Sequence, residues 1–189
     1  MSRWAPGARG RLEQAAMELF AERGFEDTTV AEIAVRAGLT ERSFFRHFAD
    51  KREVLFSGAA ALQQFLVDHV ELAPVSLQPL DAITAALCAA ADEFFEERRE
   101  GARWRQAIID AHAELQEREL IKLAGLAAAL AGTLRGRGIS QAAAGLAAET
   151  GIAVFKIAFE QWVRGAGERS LAEHIAASVK ELRNLAGRP

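Results

Sequence analysis

From about residue 11 onward, apolar positions recur at steps of three and four, the spacing of one face of an α-helix, and each run is interrupted by glycine or a capping residue. Leu12, Ala15, Ala16, Leu19 and Phe20 form the first stripe, predicting a helix over about 11–23 that Gly24 ends. Val30, Ile33, Ala34 and Ala37 form the second. Thr29 opens it, with Glu32 three residues on, a spacing that lets each side chain satisfy the other's unpaired backbone N–H. Gly38 closes it with a left-handed turn that glycine adopts cheaply. A third helix restarts at Thr40, with Leu39 spaced to staple against Phe44. A fourth is predicted over about 51–72, capped by Asp50 with Glu53. Pro74 and Pro79 bracket a linker, after which helices are expected over about 79–98, 102–113, 114–135, 140–164 and 170–185. Glycines at 101, 136, 138, 165 and 167 separate most of these, but the break after His112 has neither Gly nor Pro. No segment alternates with the period of a strand and no internal repeat occurs, so the predicted class is all-α.

The third helix carries the unusual chemistry. Phe44 and Phe48 lie one turn apart and define its buried side, so at about 100° per residue Arg42 and Arg46 point away, with Ser43 and Phe45 on the flanks. An outer face of two arginines, a serine and an exposed aromatic replaces the ordinary solvated mixture of charges. Lys51 and Arg52 then occupy the first turn of the next helix, where the dipole favours acids, and this predicts an anion site. Locally Arg36, Arg42, Arg46, Lys51 and Arg52 oppose Glu41 and Asp50, with His47 in addition. Two helices, a glycine turn and a cationic outer face describe a helix-turn-helix whose second helix enters a DNA major groove.

The stretch RLEQAAMELFAERGFEDTTVAEIAVRAGLTERSFFRHFADKREVL resembles the N-terminal domain of the tetracycline-repressor (TetR) family of bacterial transcription regulators, over roughly residues 9 to 55. The glycine punctuation, the capping threonines, the Phe-x-x-His-Phe-like core and the following lysine fall in register. The resemblance implies a three-helix DNA-binding domain over residues 1–50, followed by a larger helical domain over 51–189 that binds a small effector and dimerises. It implies that Thr29, Thr40, Phe45, His47 and Lys51 hold phosphates and that Arg42 and Ser43 reach bases. Phe45 departs from the family's usual tyrosine, leaving apolar contact such as a thymine methyl. Arg46 stands where an aromatic or histidine is commoner in that family, and a cationic phosphate contact is expected from it instead. The implied partners are a palindromic double-stranded operator, a second copy of the chain and an unidentified small molecule, with the fourth helix as mechanical link.

Composition narrows this picture. The chain has 189 residues, 50% of them apolar and 26% charged, which suits a globular protein of one or two domains. Basic and acidic residues balance over 1–55, so the net charge of −3 belongs to the remainder and DNA binding must rest on local placement. Residues 1–10, with Arg3, Trp4, Pro6, Gly7, Arg9 and Gly10, read either as an arm for the minor groove or as a plain terminus. They contain no apolar signal region, and the run from Leu123 to Leu134 is too short to span a bilayer; a cytoplasmic protein with no membrane partner is expected. Cys88 stands alone among alanines and reads as a core residue.

In the C-terminal part, Ile152, Phe155, Phe159 and Trp162 form one bulky stripe, and Leu171, Ile175, Val179, Leu182 and Leu185 another on a helix capped by Ser170 and Glu173. An intrachain core explains these stripes almost as well as the dimer seam that the resemblance implies. Trp104, His112, Phe155 and Phe159 are the candidate wall of an effector cavity, each also readable as plain core. Neither metal nor cofactor is expected: the four histidines lack ligand spacing, and Asp110, His112 and Glu114 diverge unless the helix breaks there. The run Asp92–Glu100 reads as a solvated face crossed by Phe94 and Phe95, and no phosphate loop or catalytic triad is present. An enzyme is therefore not expected. The alternatives left open are an architectural DNA-binding protein without effector response and an all-α carrier or enzyme.

Overall fold

The computed structural model describes residues 7–167 and 169–187. Helices α1 (Ala8–Arg23), α2 (Val30–Arg36), α3 (Glu41–Phe45) and α4 (Lys51–Val54) lie in a first compact unit that ends at Ser57. Helices α5 (Ala59–Leu72), α6 (Pro79–Phe94), α7 (Arg99–Ala111), α8 (Ala113–Gly136), α9 (Gln141–Arg164) and α10 (Leu171–Ala186) form a second. No strand occurs among the described residues.

In the first unit the stripe Leu12, Ala15, Ala16, Leu19 and Phe20 is buried, with Phe25, Ile33, Ala34, Phe44 and Phe48. The turn between α2 and α3 is built as its sequence requires. Gly38 sits at φ +67°; its N–H reaches the Val35 carbonyl at 3.0 Å and the Leu39 N–H reaches Ala34 at 2.8 Å, closing the last turn of α2. Arg9 and Gly10, read as part of an arm, belong to the first turns of α1; residues 1–6 of that arm lie outside the described residues.

The single helix expected over 51–72 is two helices. Val54, Leu55 and Phe56 are all buried, and three successive residues of an α-helix span about 200° and cannot share one face. The chain instead tightens, with Leu55, Phe56 and Ser57 donating to carbonyls three residues back at 3.1–3.2 Å, before α5 starts after Gly58. The burial of 54–56 carries the first unit past residue 50, where the sequence had placed its end.

In the second unit α6 and α9 run through the core, with Ile83, Leu87, Leu130, Trp162 and Ile175 among its buried side chains. Gly151 permits a close approach of α9 to α6, since a Cβ there would lie 2.5 Å from Ile83 Cγ2. The break without Gly or Pro is real. His112 adopts φ −130°, ψ 111°, its Nδ1 lies 2.7 Å from the Ile108 carbonyl, and Gln116 Nε2 donates to the Asp110 carbonyl at 2.7 Å. Side chains thus satisfy the end of α7. Although the helix breaks, no group of three ligating side chains gathers there or elsewhere among the described residues. The expectation that no segment could span a bilayer needs correction: α9 is long and apolar enough by length and composition. Core helices share that property, and 44% of its apolar stretch is buried against its neighbours.

Candidate nucleic-acid interface

Helix α3 is positioned from beneath by aromatic packing. Phe44 is fully buried, its ring 5.3 Å from Phe48 and 5.6 Å, edge-on, from Phe45. Thr40 caps the helix, its Oγ1 accepting from the Ser43 N–H at 3.2 Å and lying 3.1 Å from Ser43 Oγ. This fixes the outward face: Arg42 and Arg46 are exposed, Phe45 is 55% exposed, and Ser43 and His47 are half-buried. Thr29 is engaged in its own cap. It accepts from the Glu32 N–H at 3.2 Å, while its backbone N–H and Oγ1 donate to Glu32 Oε2 at 2.9 and 2.8 Å.

The cations around α3 divide into two sets. Arg36 forks onto Glu22 at 2.9 and 2.8 Å, with Glu18 at 3.4 Å. That hydrogen-bonded pairing pulls the Glu22 carboxyl below, and pushes the Arg36 guanidinium above, their ordinary values. Arg23 reaches Glu32 at 2.7 Å, and Arg52 reaches Asp50 at 3.3 Å. The Thr29 N–H and hydroxyl, more than Arg23, hold the Glu32 carboxyl below its usual range. Arg9 bonds Glu13 and the Ser57 carbonyl, each at 3.0 Å, and lies 5.0 Å over the Phe48 ring. Among the described residues no carboxylate pairs with Arg42 or Arg46, which sit on the face turned away from Phe44. Of the five cations that gave the segment its local charge, these two present it outward.

Lys51 has a different occupation from the one its sequence position implied. Its Nζ donates to the carbonyls of Phe25, Glu26 and Thr28 at 2.7, 3.0 and 3.0 Å and stands 4.6 Å over the Phe25 ring. Three protons meet three carbonyls, so the side chain ties the α1–α2 connection to α4. The anion site expected at the start of α4 also changes. That helix has only four residues, too short for an appreciable dipole, and both of its cations are engaged.

In the second unit Phe155 and Phe159, two of the four cavity candidates, lie together with their rings 5.7 Å apart. Phe95 joins them at 5.9 and 5.7 Å, and Trp162 stands 5.8 Å from Phe159. Trp162 is fully buried, yet its Nε1–H meets no acceptor among the described residues. Trp104 is half-buried on α7 and makes no ring contact with this group among the described residues, and His112 is half-buried at the end of that helix, its Nδ1 2.7 Å from the Ile108 carbonyl. Phe95 and Phe94, which cross the solvated acidic run, are half-buried while Asp92, Glu93, Glu96 and Glu97 beside them are exposed. The signal for it was the pair of adjacent phenylalanines in that run. A groove of about 360 Å³ lies between α9 and α10, walled by Val154, Ile157, Leu182 and Leu185 among others. Ile157 and Leu185, 52% and 63% exposed, leave its apolar rim open.

Comparison with known proteins accounts for both units. Residues 13–57 match the model of bacterial regulatory proteins of the tetR family, and residues 77–186 match that of the MftR C-terminal domain. The chain is 35% identical over 117 residues to MftR of Mycobacterium tuberculosis, described as a mycofactocin biosynthesis transcriptional regulator, covering 60% of this chain and 57% of that protein. It is 38% identical over 78 residues to the HTH-type transcriptional regulator TcmR of Streptomyces glaucescens, covering 41% and 34%. The matched parts thus span between a third and somewhat over half the length of these curated relatives. The fold is also that of SmeT, the repressor of a Stenotrophomonas maltophilia multidrug efflux pump, solved with triclosan: TM-score 0.67, 20% identity, 95% of this chain and 91% of that one. With a helix-turn-helix unit followed by a helical C-terminal unit, the chain belongs to the tetR family of bacterial regulatory proteins.

Proposed function

We propose that this protein is a homodimeric transcription repressor that reads a palindromic operator with α3 and leaves it when a small molecule binds the second unit. The observation that carries the reading is the outward face of α3. Arg42 and Arg46 have no carboxylate partner among the described residues, whereas Arg9, Arg23, Arg36, Lys51 and Arg52 around them are engaged within the unit. Arg42 and Ser43 are assigned to base edges, and Arg46, His47, Thr29 and Thr40 to phosphates, with Phe45 as an apolar contact. Lys51 is assigned to holding the scaffold on which they stand.

The open apolar groove of α9 and α10 supports pairing through these last two helices, since a symmetric dimer covers the same patch on both copies. The effector site is assigned to the aromatic group of Phe95, Phe155, Phe159 and Trp162, whose unpaired Nε1–H suits a hydrogen-bond acceptor on an otherwise apolar ligand. The effector acts by favouring a conformation in which the two recognition helices no longer match successive grooves. The test is selection of bound sequences from a random duplex pool at near-physiological salt. A two-fold symmetric motif supports the reading; binding without a motif, lost as salt rises, supports an architectural DNA-binding protein instead.

A further inference from the structure

The opening turns of α7 reach across the second unit to the end of α9. Arg99 Nε and one Nη donate to the Trp162 carbonyl at 3.0 and 2.6 Å, and the same Nη reaches the Gly165 carbonyl at 2.9 Å. Its other Nη donates to the Gly167 carbonyl at 2.6 Å. Arg103, one turn on, donates through Nε to the Val163 carbonyl at 2.5 Å and through Nη to Gly165. These carbonyls belong to the last turn of α9 and the chain just beyond it, where a helix end leaves acceptors unpaired and where its dipole favours cations. The Arg99 guanidinium also lies 5.5 Å over the Trp162 ring. On the other side of the same connection, Glu96 Oε2 accepts from the Leu171 N–H at 3.4 Å, at the start of α10. Residues 96–103 therefore form a strap over the turn that joins α9 to α10.

No carboxylate among the described residues pairs with Arg99 or Arg103, whose guanidinium groups meet the carbonyls of the helix end. Helices α9 and α10 are joined by a short connection, and the groove between them includes Ile157 and Gln161 on α9 and Ser178 and Leu182 on α10. Its shape follows from the angle at which the two helices are held. We infer that Arg99 and Arg103 are positioning residues for assembly, clamping the α9–α10 turn so that the groove is preformed for a second copy of this chain. A preformed face loses less freedom on docking, so its loss shows as weaker association at unchanged secondary structure. This inference rests on the dimer reading above, and the experiment separates the two.

The full chain is studied by sedimentation equilibrium over a dilution series, with helical content followed by circular dichroism. Arg99→Ala/Arg103→Ala is expected to raise the dimer dissociation constant by about tenfold while helical content holds. Arg99→Lys/Arg103→Lys is expected to fall between, because lysine keeps the charge at the helix end and loses the planar fork. If the alanine pair fails to fold, Arg103→Met, which keeps most of the stem and removes the guanidinium with its charge and hydrogen bonds, is expected to give about a threefold rise. A dissociation constant unchanged in the folded alanine pair, or in Arg103→Met should that pair not fold, overturns the clamp while leaving the dimer intact. A wild-type chain that stays monomeric throughout overturns the dimer reading and the clamp with it.

Discussion

Replacing Lys51 with methionine separates two roles that sequence position alone confounds. Methionine keeps most of the stem and removes the ammonium, whose three donors meet the carbonyls of Phe25, Glu26 and Thr28. A hydrogen bond from a charged donor contributes about 1.5–3 kcal/mol net, and a cation over an aromatic ring about 0.5–2 kcal/mol, rising as the pair leaves water. The three bonds share one charge, and the Glu26 carbonyl can turn to water, so the sum is far from additive. About 2–3 kcal/mol of destabilisation is the reasoned magnitude, measured on the full chain by urea denaturation. Binding is then followed against salt under conditions where the variant is folded. If the ammonium holds the α1–α2 connection, the slope of log affinity against log salt stays at the wild-type value. If it neutralises a phosphate, the slope becomes shallower by about 0.9. Wild-type stability together with that shallower slope would refute the scaffold role.

Three other substitutions or conditions are informative. Arg42→Ala is expected to reduce discrimination at one base pair of each half-site by about 1–3 kcal/mol; competition with single-base operator variants checks this, and unchanged preference removes Arg42 from base reading. Trp162→Phe deletes a buried N–H with no partner along with some packing, so stability should stay within about 1 kcal/mol of wild type, measured by denaturation. The same variant should respond less to an effector that accepts from that N–H, and an unchanged response would place the ligand elsewhere. Glu22 and Glu32 both titrate below the ordinary carboxylate range when folded, so their contribution is present above the unfolded value of about 4.3. It is lost as pH falls through the lower folded values, which acid titration of wild type against Glu22→Gln would reveal as a smaller acid-side slope in the variant.

The helix-turn-helix was legible because its signals are local. Thr29 with Glu32, Gly38, and Phe44 with Phe48 each act within one turn of chain, and the structure realises all three. The same holds for Ser170 with Glu173 at the start of α10. What sequence could not give was the partner of a long side chain. Lys51 and Arg42 look alike as cations, yet one is consumed by carbonyls 23 to 26 residues away while the other stays outward. Arg99 and Arg103 gave no hint of their targets, which lie 60 or more residues on. The break at His112 was visible only as a weak boundary, because its cap comes from side-chain bonds to the Ile108 and Asp110 carbonyls instead of a glycine. Phe95 was obscured by its acidic neighbours, and only the packing of α9 brought its ring beside Phe155 and Phe159.

The central claim, that α3 from two copies reads a symmetric duplex, is tested most directly by selecting bound sequences from random duplexes at near-physiological salt and repeating the selection with Arg42→Ala. The expected result is a palindrome whose half-sites lie about one helical turn, roughly 34 Å, apart, with information lost at one position per half-site in the variant. Recovery of no motif, or of an identical motif with the arginine removed, would contradict it.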